Sequence, residues 1–197
     1  MSHYFIENEE ILTHQRTLPL EYKGRSFKFL SNNGLFACDG VDKASMLLVD
    51  NMPVISGDYL DLGCGYGVIG IVLASFNEID LYFADINKIA LDYAVKNAGL
   101  NGTTVAGQYH SDGFDDIGEK FDHITLNPPI HAGKDVMYKL YRQAAKHLNV
   151  GGAFYIVIQK KHGAESAMKE LGKIFDTMEV LYKKKGVYVL ELKNPRA

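Results

Sequence analysis

The chain has 197 residues, the length of one domain with a substantial core, and its 47% apolar and 23% charged residues are ordinary for a globular protein. A net charge of −3 gives no bulk pull toward nucleic acid, so any such surface must be a local patch. No apolar run approaches a membrane span, Glu7, Glu9 and Glu10 stand where a secretory signal would be basic, and Cys38 and Cys64 are too few for a disulfide framework or a sulfur-ligated metal site. The expectation is a cytoplasmic protein with free thiols, without a membrane segment or a metal.

Residues 1–36 alternate most clearly at Phe27-Lys28-Phe29-Leu30, with Asn32-Asn33-Gly34 following as a turn. They predict one or two antiparallel strands outside the main sheet, on which Arg16, Lys23, Arg25 and Lys28 read as solvated faces. Ala44 to Val49 has helical spacing, with Asp42 as its cap and Pro53 and Gly57 closing it. From Asp58 on, strand and helix alternate: a strand at Tyr59–Leu62, a helix at Gly67–Phe76, a strand at Ile79–Ala84 that ends in Asp85. A helix at Asn87–Ala98 takes Gly99 as its C-cap, and a strand follows at Thr103–Gln108. Phe121–Leu126 is a strand, Lys134–Leu148 a helix, and Gly151-Gly152 turns into a strand at Ala153–Ile158. Gly163–Phe175 reads as a helix, and Glu179–Tyr182 and Val187–Leu192 as strands joined through Lys183-Lys184-Lys185-Gly186. The alternation predicts an α/β domain with a mostly parallel sheet and helices on both faces.

Chemistry concentrates at the strand ends, where such sheets bind ligands. Gly65-Tyr66-Gly67-Val68-Ile69-Gly70 matches the dinucleotide fingerprint. Asp61-Leu62-Gly63-Cys64-Gly65-Tyr66-Gly67, in register two residues earlier, is similar to the first motif of S-adenosylmethionine-dependent methyltransferases. Asp85 suits either cofactor, because a carboxylate there can accept both ribose hydroxyls. Asp61 does not, since it would repel a pyrophosphate but suits the ammonium of a methionine. Asn127-Pro128-Pro129 is the more specific signal. Two prolines remove two donors and fix the backbone beyond a buried strand, and the Asn127 amide oxygen with the Pro128 carbonyl can accept the two hydrogens of a planar –NH2. That acceptance favours a pyramidal nitrogen whose lone pair faces an electrophilic methyl group.

Together with Ser111-Asp112-Gly113-Phe114, His131 and the segment Gly34-Leu35-Phe36 through Ser45-Met46-Leu47-Leu48, these motifs resemble the small-domain class I methyltransferases. Within them the likeness is strongest to the bacterial enzymes that methylate guanine N2 in small-subunit ribosomal RNA. The resemblance covers roughly residues 34–192. It implies a single Rossmann-like domain with a mostly parallel seven-stranded sheet and a C-terminal antiparallel hairpin strand. Residues 1–36 would be an N-terminal β extension, 37–57 a pre-core helix and 58–197 the core. By position, Asp61, Gly63, Gly65, Gly67, Asp85, Ile86, Asp112, Gly113 and Asn127 would hold S-adenosylmethionine. Asn127, Pro128, Pro129 and Ile130 would take the target amine, Ile130 giving an apolar platform where relatives often stack an aromatic on a flipped base. The substrate implied is RNA, as ribosomal RNA or the small ribosomal subunit. Lys43-Ala44 departs from the smaller or acidic residues expected before Ser45. Lys134, Arg142, Lys146 and Lys160-Lys161-His162 are the cations near this face, the last group at a strand end and suited to phosphates, whereas Lys183-Lys184-Lys185 reads as a solvated run. The competing readings are a protein glutamine amide or adenine N6 as acceptor, a non-catalytic S-adenosylmethionine-binding module, and a nicotinamide-dependent oxidoreductase. The last would leave Asp61 and the Asn-Pro-Pro unexplained.

Overall fold

Residues 15–33, 35, 37, 40–129 and 133–196 are described by the computed structural model, so Cys38 and most of the segment 34–39 lie outside the described residues. The N-terminal strands form a separate two-stranded antiparallel sheet, β1 (Arg16–Tyr22) with β2 (Arg25–Ser31), turning at Lys23-Gly24. Helix α1 (Lys43–Asn51) leads into the core: β3 (Ser56–Leu62), α2 (Val68–Ala74), β4 (Glu78–Asp85), α3 (Lys88–Leu100), β5 (Gly107–His110), β6 (Phe121–Leu126), α4 (Lys134–Lys146), β7 (Leu148–Gln159), α5 (Ala164–Ile174), β8 (Phe175–Lys184) and β9 (Val187–Pro195). Seven strands pair in the order β5-β4-β3-β6-β7-β9-β8, parallel through β7 and antiparallel on both sides of β9. The chain winds outward from β3 to β5 and then returns to lay β6 against β3. That reversal opens the crevice in which such sheets take ligands.

Alternation along the strands divides the core into two layers. Tyr59, Phe83 and Tyr155 face Leu48 of α1, Ile71 and Val72 of α2, Ala94 of α3 and Phe27 and Phe29 of the hairpin. Leu60, Ile124, Phe154 and Ile156 face Tyr141 and Ala144 of α4 and Leu171 of α5. The hairpin is held by two asparagines one helical turn apart, Asn97 of α3 and its C-cap Asn101. Asn101 accepts from Lys28 N at 3.0 Å and donates to Lys28 O at 2.8 Å, and Asn97 does the same with Leu30 at 2.7 and 2.9 Å. Their amides complete the backbone pairing of β2 as a third strand would.

Four local expectations need correction. Gly99 is not a cap: α3 runs on to Leu100, Asn101 caps it, and the left-handed residue is Gly102 at φ 69°. The strand expected at Thr103–Gln108 begins only at Gly107, because Thr103 N turns back to Ala98 O and pairing with β4 starts at Tyr82. Gly151-Gly152 lies inside β7, which starts at Leu148 and shifts register against β6 there, instead of forming a turn before the strand. The C-terminal strands extend to within two residues of each other and turn at Lys185-Gly186, with φ of 50° and 76°. Left-handed residues in both central positions match the twist of the strands they join.

Candidate functional site

Three loops at the carboxyl ends of β3, β4 and β5 lie side by side. After β3, Gly63 N and Cys64 N both donate to Ala84 O, at 2.8 and 3.1 Å, and Gly67 N donates to Cys64 O at 2.9 Å, so the glycine turn folds against β4. Gly67 has φ 90°, and a Cβ there would lie 3.1 Å from Ala94 Cα. A Cβ on Gly70 would approach Phe83 to 2.7 Å, so the last glycine of the fingerprint serves the close packing of α2 on the sheet. Asp85 braces the loop: its Oδ2 accepts from Gly65 N and its Oδ1 from Asn87 N, each at 2.8 Å. Burial pushes this carboxyl up, against the pull of those N–H groups and of His110.

Asp61 is 1% exposed. Its Oδ2 accepts from Gly70 N at 2.9 Å, the third residue of α2, a donor that the N-cap Gly67 has no side chain to satisfy. Its Oδ1 accepts from Thr125 Oγ1 at 3.2 Å, and Thr125 is 2.5 Å from the Tyr59 hydroxyl. Burial raises the Asp61 carboxyl to about 7, although both hydrogen bonds act to lower it. Asp61 is therefore a remote cap for α2 within a buried polar chain, a part that sequence alone did not assign to it. Ile86 is 42% exposed beside Asp85. Asp112 and Gly113 follow β5, Asp112 exposed and Gly113 at φ 63° against Leu140 and Gln143 of α4.

Asn127 follows β6, next in the row. Its Nδ2 donates to Asp42 Oδ2 at 2.8 Å and to Ser45 Oγ at 2.9 Å. The same Asp42 oxygen accepts from Ser45 N at 2.8 Å and Ser45 Oγ at 3.1 Å, as N-cap of α1. With both amide hydrogens held, the Asn127 amide oxygen points away from this clamp. A reversed amide would set that oxygen against the Asp42 carboxylate, so the network fixes the orientation. Asn127, Pro128 and Pro129 border a cavity of about 170 Å³ that Tyr138, Tyr141 and His162 also line. Asp42 was legible as a helix cap; its grip on a residue 85 positions away was not. Ile130 and His131 lie outside the described residues.

Of the cations expected near this face, Arg142 pairs with Glu170 at 3.1 Å. Lys160-Lys161-His162 forms a short 3-10 turn at the end of β7. Among the described residues no group of histidines, cysteines and acids is arranged to hold a metal ion, and no helix is long and apolar enough to cross a membrane.

A family model described as Methyltransferase small domain matches residues 26–191. The Bacillus subtilis (strain 168) protein named Uncharacterized protein YbxB is 39% identical over 197 residues, covering 98% of each chain. Ribosomal RNA small subunit methyltransferase C of Vibrio cholerae is 33% identical over 152 residues, which are 72% of this chain and 43% of that protein. The solved structure of the T. thermophilus 16S rRNA N2 G1207 methyltransferase (RsmC), in complex with AdoMet and guanosine, aligns with a TM-score of 0.79 at 26% identity, covering 91% of this chain and 50% of that one. The chain thus spans half or less of the length of these two methyltransferases.

Proposed function

The chain belongs to the methyltransferase small-domain family, and from that premise we propose that it transfers a methyl group from S-adenosylmethionine to an exocyclic amino nitrogen of RNA, guanine N2 of small-subunit ribosomal RNA. The observation that carries this reading is the clamp on Asn127. A carboxylate and a hydroxyl hold its –NH2 group, and the amide oxygen is left to accept. The acceptance of an amine hydrogen is what an exocyclic nitrogen needs, because its lone pair is otherwise delocalised into the ring. The two relatives named as ribosomal RNA methyltransferases support the choice of acceptor.

The residues present fit the cofactor. Asp85, with one N–H on each oxygen, retains lone pairs for two ribose hydroxyls, and the exposed Asp112 after β5 would accept from the adenine amino group. Asp61, Gly63, Gly65, Gly67, Ile86 and Gly113 complete the seat. Asp61 offers a buried carboxyl that favours an ammonium over a pyrophosphate. When bound, S-adenosylmethionine supplies a sulfonium methyl group open to attack by a nitrogen lone pair. Asn127 Oδ1 and the Pro128 carbonyl accept the two amine hydrogens and aim the lone pair, Pro129 stiffens the turn, and Ile130 supports the base. Asp42 and Ser45 hold Asn127 in register, so its orientation is set before substrate arrives.

The test is transfer of labelled methyl to naked ribosomal RNA, assembled small subunits and a release-factor protein. The expected result is label in RNA, free or in the particle. Label confined to protein would contradict the reading.

A further inference from the structure

The C-terminal lysine run was expected to be a solvated hairpin tip, and it is exposed at the turn between β8 and β9. The topology adds where that tip lies. Because β9 lies between β7 and β8 and is antiparallel to both, β8 runs in the direction of β7, and the Lys185-Gly186 turn falls at the carboxyl edge of the sheet, beside the candidate site. There Lys160 N donates to Gly186 O at 2.7 Å, and Val187 pairs with both Gln159 and Lys184. Lys160, Lys161, Lys183, Lys184 and Lys185, all exposed, therefore form one patch. Among the described residues the acidic side chain paired with it is Glu165, 3.8 Å from Lys160 with 83% of its side chain exposed, and such a pair neutralises little. Gln159 and His162, at the start of the patch, line the cavity that also holds Asn127. From there the lysines extend across two strand spacings, about 10 Å, away from the cofactor side.

We propose that this patch holds the phosphate backbone of the RNA adjoining the target nucleotide, the strand leaving the Asn127 cavity across the ends of β7, β9 and β8. The proposal rests on the reading of the chain as an RNA methyltransferase. Lysines on a flexible stem suit phosphates whose positions vary with sequence, and they position the RNA without specifying it. Lys28 of β2, whose N–H donates to Asn101 at the end of α3, and Lys96 of α3, whose ammonium donates to Gln15, serve as the comparison surface with no part in this contact.

The experiment compares the full chain with Lys161→Gln/Lys184→Gln/Lys185→Gln and with Lys28→Gln/Lys96→Gln, measuring affinity for a short single-stranded RNA over a salt series, affinity for S-adenosylhomocysteine, and the KM and kcat of methyl transfer to RNA. The expected result is a triple variant with RNA affinity at least tenfold weaker, a log–log salt slope shallower by about 2, the value for three lost single-strand phosphate contacts, a raised KM for RNA, and unchanged cofactor affinity. The hairpin variant should match the unmodified chain. An unchanged slope in the triple variant, with RNA still methylated, would overturn the patch and leave the methyltransferase reading standing. So would a slope flattened only by the hairpin variant, or tighter binding of the unmodified chain to polyglutamate than to RNA. Failure of the unmodified chain to bind or methylate RNA, with methyl appearing in protein, would overturn both.

Discussion

The carboxyl edge of the sheet carries opposite charge on its two sides, and the two sides are built by different rules. At the ends of β3 and β4, Asp61 is buried and Asp85 half-buried, and each of their four oxygens meets a defined donor: Gly70 N, Thr125 Oγ1, Gly65 N and Asn87 N. Beyond β7, β9 and β8 the lysines are exposed, and one loose ion pair engages Lys160. A buried carboxylate without donors would be costly, so the acidic side has to be rigid to exist at all. An exposed lysine has no such requirement and acts through its field. The first arrangement suits a small ligand recognised atom by atom. The second suits a polymer recognised by its charge. Asn127 stands between them, tied to neither but to α1. The net charge of −3 averages the two sides and conceals both.

Separate substitutions should separate the functions. The largest effect is expected at the junction: Asn127→Ala should lower turnover at least about 100-fold, the scale for losing a preorganised electrostatic contact in a transition state. Calorimetry with S-adenosylhomocysteine and RNA binding should both stay within a few-fold. Surviving turnover would remove Asn127 from the chemistry. On the acidic side, Asp85→Ala should weaken the cofactor by roughly 1.5–3 kcal/mol, the range for hydrogen bonds to a charged group, and leave RNA affinity unmoved. Parallel loss of both affinities would mean that the two sides are not independent. Asp42→Asn keeps a capping side chain for α1 but loses the carboxylate that holds Asn127, so turnover should fall about tenfold with the affinity for either ligand unchanged. An unaltered kcat would show that Asn127 is held by other means.

The smallest effect concerns Asp61 and pH. Its carboxyl titrates near 3.8 when exposed and near 7 in the folded chain, so between these values the folded state binds the extra proton. Stability contributed by the neutral carboxyl is therefore full below about pH 4, declines as pH rises, and is lost above 7. Between pH 6 and 7 the loss should be about 1 kcal/mol, from proton linkage. Asp61→Asn should flatten that segment of the denaturation profile, and persistence of the slope in the variant would assign it to another group.

Where the sequence was legible, one strong local signal agreed with the period of the chain. Phe121–Leu126 ends in Ile124-Thr125-Leu126 and is stopped at Asn127 by two prolines, and β6 has those bounds. The row of strand-end residues was legible for the same reason, because βα alternation alone places them on one edge. Gly99 misled because a glycine at a helix end is a local cue, whereas the length of α3 is set by Asn97 and Asn101 reaching the N-terminal hairpin 67 to 73 residues away. Thr103–Val105 has the composition of a strand but no partner in register. The lysine turn was legible as an exposed hairpin but not its place beside the site, which depends on β9 inserting between β7 and β8, a fact of pairing that no local pattern encodes. The Asp42 clamp is of the same kind. A cap signal was visible, and its second use required two distant segments to meet.

The central claim is that the amine gripped beside Asn127 belongs to guanine. It is tested most directly by digesting small-subunit ribosomal RNA to nucleosides after incubation with the chain and S-adenosylmethionine, and identifying the methylated product by mass spectrometry. The expected product is N2-methylguanosine at a single position, absent with Asn127→Ala. N6-methyladenosine, a ring-methylated base, or methyl found only on protein would contradict it.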